Sequence, residues 1–261
     1  MSPSMRAAAR ARSRAEVLLD PWTLAAVAAL ALGAAVIGGI GGFGTGIILT
    51  AALVPLIGVK QVIPVLAVAG VIINAGRFWF YRAALDRRAL TVVLAGSLPF
   101  LVLGVWIYSI LDARALGTVL GLMVVASVPL RRLLQHKNIV LGKAGLSVGA
   151  GVFGLASGVA TGTGVILVSL LLGSGLAGPA VLATDALITI VLDFCKAALF
   201  ERFELLDPAA FVTGVAIGIA SIPGSALAAF LVRRLDAHLH VLFMEGLILV
   251  GGASMLWHSW T

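Results

Sequence analysis

The chain has 261 residues, of which 61% are hydrophobic and only 11% charged, with a formal net charge of +7. A soluble domain carries about 25% charged residues, so this composition excludes an ordinary water-soluble globular protein. The single cysteine, Cys195, excludes an internal disulfide and any multi-cysteine metal centre.

Residues 1–20 form an Arg-rich stretch with no apolar run, no twin-arginine pair and no small-residue cleavage site after the first apolar run. They are expected to be a cytoplasmic tail rather than a cleaved signal peptide. From Trp22 onward, apolar runs of the length needed to cross a hydrocarbon core, about 20 residues, follow one another. The alternation of a spanning barrel strand is absent. The fold class expected is therefore an all-α polytopic membrane protein of about eight transmembrane helices. The spans read as Trp22–Leu53, Gln61–Tyr81, Ala89–Ile110, Ala113–Leu133, Leu141–Leu172, Pro179–Phe200, Pro208–Val232 and His238–Trp257. The first and fifth are too long for one straight crossing. Each holds a Gly/Thr-rich segment near its middle, and a broken or re-entrant helix is expected there.

The chain repeats itself. Gly44-Thr45-Gly46-Ile47-Ile48-Leu49 returns as Gly162-Thr163-Gly164-Val165-Ile166-Leu167, Leu98-Pro99 as Ile222-Pro223, and Leu111-Asp112-Ala113 as Leu235-Asp236-Ala237. This conserved order divides the chain into a tail (1–20), a first transmembrane repeat (21–135), a basic linker (136–143) and a second repeat (144–261). Two homologous halves of four helices are the architecture of secondary transporters, with the substrate between the halves.

If eight spans alternate, Arg6, Arg10, Arg12, Arg14, Arg82, Arg87, Arg88, Arg131, Arg132, Lys137, Lys143 and Arg202 share one side. Only Lys60, Arg114, Arg233 and Arg234 face the other. The positive-inside rule makes the richer side cytoplasmic and puts both termini there. An even number of crossings per half makes the repeats parallel, which is the arrangement expected, the alternative being that a break adds or removes a crossing and makes them inverted. The basic charge is thus accounted for by topology, and no nucleic-acid partner is expected.

The candidate site lies in the two Gly/Thr segments. In the first, Gly42, Gly44, Thr45 and Gly46 belong to a run that a helix tolerates poorly, each glycine costing about 1 kcal/mol relative to alanine. In the second, Thr161, Gly162, Thr163 and Gly164 repeat it, with Ser157 adding a further hydroxyl. A half-helix starting at such a break points amide groups and its positive dipole end at an anion. Small-residue helix packing is the alternative for either segment alone. Thr45 and Thr163 recur in both copies. In the second helix of each half, Asn74 and Arg77 align with Asp193 and Lys196, each pair three residues apart on one helical face. Two cations facing one carboxylate would leave a net positive, substrate-binding cavity, Arg77 offering a planar fork of donors. The alternative is that both cations snorkel to the interface or are neutralised by Asp193.

Asp185, Asp193 and Glu245 are the intramembrane carboxyls that could couple transport to protons, a sodium gradient being the other possible drive. Glu245 pairing with a neighbouring basic side chain competes with that role. Pro99 and Pro223 recur in the third helix of each half, where they bend the helix. His136, His238, His240 and His258 lack metal-ligand spacing, so no metal is expected, and no cofactor either. Trp22, Tyr81, Trp257 and Trp260 sit where interfacial anchors belong.

Taken together, the segment Ile37 to Gly46 with the apolar run ending in Pro55, its second copy from Gly154 to Leu172, and the Pro99 and Pro223 motifs resemble the TauE/SafE family of sulfite and organosulfonate exporters. The resemblance covers about Ala34 to Trp257. It implies an eight-span inner-membrane permease for small sulfur-containing anions, or in some members other anions. The second copy departs from the first where Thr161 stands in place of Phe43 and no proline matches Pro55.

The function expected is a gradient-driven secondary transporter of small anions (sulfite, sulfonates or related species) working by alternating access between the repeats, and not an enzyme. The partners expected are the anion, the bilayer, a coupling ion and a second copy in a homo-oligomer. An intramembrane enzyme is the competing class, but HExxH and GxSxG are absent, and Asp185 and Asp193 lie eight residues apart on one helix, about 12 Å. A membrane scaffold would not need charges at equivalent positions of both halves. A cation carrier would need carboxylates to dominate the cavity.

Overall fold

The computed structural model describes residues 20–41, 45–136 and 142–231, together with 246, 249–250, 252–254, 256–257 and 260. Of the expected site residues, Gly42, Gly44 and Glu245 lie outside the described residues. The helices in chain order are α1 Pro21–Gly41, α2 Thr45–Ile57, α3 Val59–Tyr81, α4 Arg87–Ile110, α5 Ala113–His136, α6 Lys143–Val159, α7 Gly164–Gly173, α8 Pro179–Arg202 and α9 Pro208–Leu231, with a 3₁₀ turn at Arg82–Ala84. Among the described residues there is no strand.

Helix starts are written into the sequence by aspartates. Asp20 accepts from the Thr23 amide (3.1 Å), and Asp86, Asp112 and Asp207 accept from Ala89, Ala115 and Ala210 (2.7 Å each), capping α1, α4, α5 and α9. Pro179 opens α8 where the missing amide costs nothing. Three segments are long and apolar enough to cross a membrane, Val59–Ala84, Arg87–Ile110 and Pro208–Leu227, and several shorter helices are equally apolar. Large apolar side chains such as Phe80, Phe194, Phe211 and Ile219 are exposed on the outside of the bundle, as lipid contact allows.

The long first and fifth spans expected from sequence are each divided, into α1 and α2 and into α6 and α7. In the second, Ala160 is extended and Gly162 takes φ +81°, so the break is a turn of the chain rather than a kink.

Pairwise contacts fix helix directions. Arg77 meets Asp185, whereas a Cβ at Gly70 would run into the Asp193 carboxylate, so α3 and α8 are antiparallel. A Cβ at Gly96 would lie 2.9 Å from that of Ala150, and one at Gly104 2.9 Å from the Gly158 Cα, so α4 and α6 run parallel. Asp86, Gly142, Ser174 and Leu176 line one crevice, which brings the end of α7 back to the end of the bundle where α6 began. The pair α6–α7 is therefore a hairpin. At the opposite end Phe200 packs edge-on against Tyr108 (5.1 Å), whose hydroxyl donates to the Val59 carbonyl (3.2 Å).

Two expectations change as a result. Arg202, at the end of α8, lies at the opposite end from Arg82, Arg87 and Arg88, because the hairpin contributes no net crossing. Arg114 lies over the Trp260 ring (5.6 Å), and Gly121 faces Leu256. Trp260 thus lies at the end where α5 starts, not the end bearing the Arg87-Arg88 pair.

The buried apolar side chains fall in two clusters, one centred on α1, α2, α3 and α5 and the other on α4, α6, α7 and α8. Glycines let α4 and α6 touch: a Cβ at Gly158 would come within 2.6 Å of the Leu101 carbonyl. Gly158→Ala is expected to destabilise the protein by about 1–3 kcal/mol, read as a lower unfolding temperature in detergent. Gly33→Ala, where a Cβ meets nothing within 4 Å, should leave it unchanged or slightly raised. In a Cys195→Ala background, Arg88→Cys and Trp260→Cys should react with a membrane-impermeant thiol reagent from opposite sides of the membrane.

Candidate functional site

The breaks meet. The Thr161 hydroxyl, in the second break, donates a short hydrogen bond to the Thr50 hydroxyl oxygen and lies 3.4 Å from the Gly46 carbonyl at the start of α2. Thr50 in turn donates to the Gly46 carbonyl (2.7 Å). Gly162 packs so closely on Ile47 that a Cβ there would collide with that side chain. Two chain segments separated by more than a hundred residues thus cross in direct contact.

Their crossing borders a cavity of about 130 Å³, room for several waters or a small hydrated ion. Thr45 and Gly46 line it from α2, and Thr161, Gly162, Thr163 and Gly164 from the second break. Thr163 places no side-chain cap on α7, and the Gly164 that opens the helix lines the cavity beside it. From α3 come Gly70, Asn74 and Arg77, and from α8 Asp185, Thr189, Asp193 and Lys196. Ser157 and Phe153 of α6 complete the polar and apolar walls. A second, largely apolar cavity of about 100 Å³ lies across the break, sharing Thr161, Gly162 and Thr163 and bounded by Ile47, Met123 and Ala126.

The charges are held in two ion pairs. Arg77 Nη1 reaches Asp185 Oδ2 at 2.7 Å, linking α3 to α8. Lys196 Nζ reaches Asp193 Oδ1 at 2.7 Å within α8, with side-chain exposures of 3% and 9%, so Lys196 does not snorkel to an interface. Arg77 keeps 27% of its side chain exposed, toward the cavity it lines. Asp193 lies against Gly70, where any side chain would displace it. Asn74 donates to the Gly70 carbonyl (2.9 Å), and Asp185 Oδ1 is buried with no hydrogen-bond partner among the described residues. The sequence-based expectation of two cations facing one carboxylate therefore becomes, among the described residues, two facing two.

Every expected site residue that is described, namely Thr45, Gly46, Asn74, Arg77, Thr161, Gly162, Thr163, Gly164, Asp185, Asp193 and Lys196, lines this one cavity. Sequence reasoning missed Thr50, Gly70 and Thr189. Gly70 and Thr189 stand at the same 119-residue offset that relates Arg77 to Lys196, which was the available signal. It also missed the Arg77–Asp185 pair, since a search for like residues at equivalent positions found only Leu66 opposite Asp185.

Breaking one side of a buried pair strands its partner, at a cost of about 3–5 kcal/mol, while removing both is far milder. Arg77→Ala should accordingly lower thermal stability more than Arg77→Ala combined with Asp185→Ala, with unfolding temperatures of the two variants as the measure.

No curated protein and no solved structure matches the chain. The profile of the family described as sulfite exporter TauE/SafE matches residues 27–255, a span that includes both breaks, both ion pairs and every helix but the first turns of α1. The chain is a multi-pass membrane protein and belongs to the TauE/SafE sulfite exporter family.

Proposed function

We propose that this protein is a secondary transporter of small sulfur-containing anions, sulfite and sulfonates first among them, and that the cavity at the crossing of the breaks holds the cargo. The observation that carries this reading is the convergence of the starts of α2 and α7 with Arg77 and Lys196 on that one space. Helix N-termini attract anions through unsatisfied amides and an aligned dipole. A guanidinium adds paired donors that match the oxygens of a sulfite or sulfonate group. Other small oxyanions share this chemistry and are the within-class alternatives.

The halves are proposed to be inverted repeats. The equivalent helices α3 and α8 run in opposite directions, and the α6–α7 hairpin enters and leaves at one end, so each half carries an odd number of crossings. On this reading the eight expected spans become six crossings and two hairpins, with α1–α2 proposed as the counterpart of α6–α7 and the sixth crossing falling largely on residues outside the described ones. The end bearing Arg82, Arg87, Arg88 and the 136–143 linker is assigned to the cytoplasm of the cell inner membrane, and a hairpin at α1–α2 then puts the start of α1 on the side opposite to the one expected from the sequence. Alternating access then consists of opening the crossing of the breaks, where Thr50, Thr161 and Ile47 close the way between the two cavities.

The test is uptake of labelled sulfite, sulfoacetate and thiosulfate into proteoliposomes. Saturable uptake of at least one anion is expected. Arg77→Ala should weaken apparent affinity about tenfold to a hundredfold, the worth of one charge-assisted interaction, and Thr163→Val by less. Uptake of none of the three under any imposed gradient would refute the sulfur-anion assignment.

A further inference from the structure

We infer that Ile47 is the moving part of the crossing, and that the apolar cavity bounded by α5 and α7 is the seat that receives it when the crossing opens. This rests on the carrier reading above and deepens its gating: it says which side of the crossing moves, and where to.

The partition is thin and its two faces are unlike. Thr161, Gly162 and Thr163 border the polar cavity of about 130 Å³ on one side and the apolar cavity of about 100 Å³ on the other. Ile47 lines the second cavity, is buried, and fills the place where Gly162 would carry a side chain. One turn on from Ile47, Thr50 is hydrogen-bonded to Thr161. A way through the crossing therefore requires Ile47 to leave Gly162.

Two observations make α2 the moving side. The α6–α7 hairpin is held by close glycine contacts: a Cβ at Gly154 or Gly158 would run into the α4 backbone, and one at Gly149 into Leu170 of α7. By contrast, α2 joins α3 at Gly58, whose φ of +82° suits glycine and where an added Cβ would meet nothing within 4 Å. That joint leaves room for α2 to pivot.

Chemistry gives the direction. A β-branched side chain in a helix holds one χ1 rotamer, so Ile47 travels with α2 rather than by flipping. Movement into the polar cavity would push an apolar group among Asn74, Asp185, Asp193 and Lys196 and occupy the place of the cargo. Movement the other way keeps it among apolar atoms, those of Met123, Ala126, Val165 and Ile166. Apolar cavities of about 150 Å³ stay dry and admit benzene, and the sec-butyl group of Ile47 is a smaller guest. Met123 is unbranched and adapts its shape, and Ala126 is exposed at the rim, so the seat fills without compressing the core. The Thr161–Thr50 hydrogen bond parts in the same motion, leaving the Thr161 hydroxyl to the cargo cavity it already lines.

The test separates gating from binding. Exchange of labelled thiosulfate and, in parallel, labelled sulfoacetate against the unlabelled anion in proteoliposomes gives the rate. Binding of the same anions to the protein in detergent gives the affinity, and the unfolding temperature shows that each variant is folded. Met123→Phe, which fills the seat, should slow exchange about tenfold or more, as overpacking an apolar site does, and leave affinity unchanged. Ala126→Leu fills the same seat and replaces it if Met123→Phe does not fold. Ile47→Ala alone should exchange faster than wild type, and added to either filling variant it should restore the wild-type rate. Such rescue relieves a clash between gate and seat, whereas a merely structural defect would be deepened by a second core change. Unslowed exchange in the filling variants, or slowing that Ile47→Ala does not relieve, would overturn the gate while leaving the carrier standing. Exchange of neither anion by the wild type would overturn both.

Discussion

A hydrocarbon layer offers no hydrogen-bond partner to a backbone group, so a helix can be interrupted at mid-depth only where protein or a wet cavity receives the freed amides and carbonyls. Here each half of the chain carries such an interruption, and they answer one another. At the start of α2 the Thr50 hydroxyl donates to the Gly46 carbonyl and accepts from the Thr161 hydroxyl of the other break, which ties the two segments together. The remaining start, that of α7, opens on the cavity. Glycine is required at the crossing for a plain steric reason: Gly162 has φ +81° and Ile47 fills the place a side chain would need.

The same constraint explains where the charge went. In a chain with few charged residues, four of the aspartates are spent on helix caps, where an amide justifies them. Asp185 and Asp193 are the described aspartates left inside helices, and both face the cavity against a cation. Buried pairs of this kind stabilise little on net, since desolvation offsets most of the attraction. Their persistence in an apolar bundle is better explained by what the cavity must do than by folding. The two pairs differ in their cations: Lys196 is buried beside Asp193 on the same helix, whereas Arg77 keeps 27% of its side chain exposed and reaches Asp185 across to another helix.

Much of this was readable from the sequence, through duplication rather than through any single motif. Finding Thr45-Gly46 and Thr163-Gly164, and then Asn74 and Arg77 against Asp193 and Lys196, identified residues that the fold gathers in one place. Direction was not readable. A 30-residue apolar run with a break looks the same whether the chain passes through or turns back. The placement of Arg202 on the side of Arg82, Arg87 and Arg88 therefore went wrong with the α6–α7 hairpin. Cross-repeat pairing was equally hidden, because Arg77 reaches Asp185 through the antiparallel packing of α3 on α8, which no residue spacing encodes.

The central claim is that an anion sits where the two breaks and Arg77 converge. The most direct measurement is an experimental structure with selenite, the heavier analogue of sulfite, located by its anomalous signal. The account predicts one strong peak within hydrogen-bonding distance of the Arg77 guanidinium and the first amides of α7. A saturating soak with no peak in this cavity, or with the dominant peak at the basic surface near Arg87 and Arg88, would contradict it.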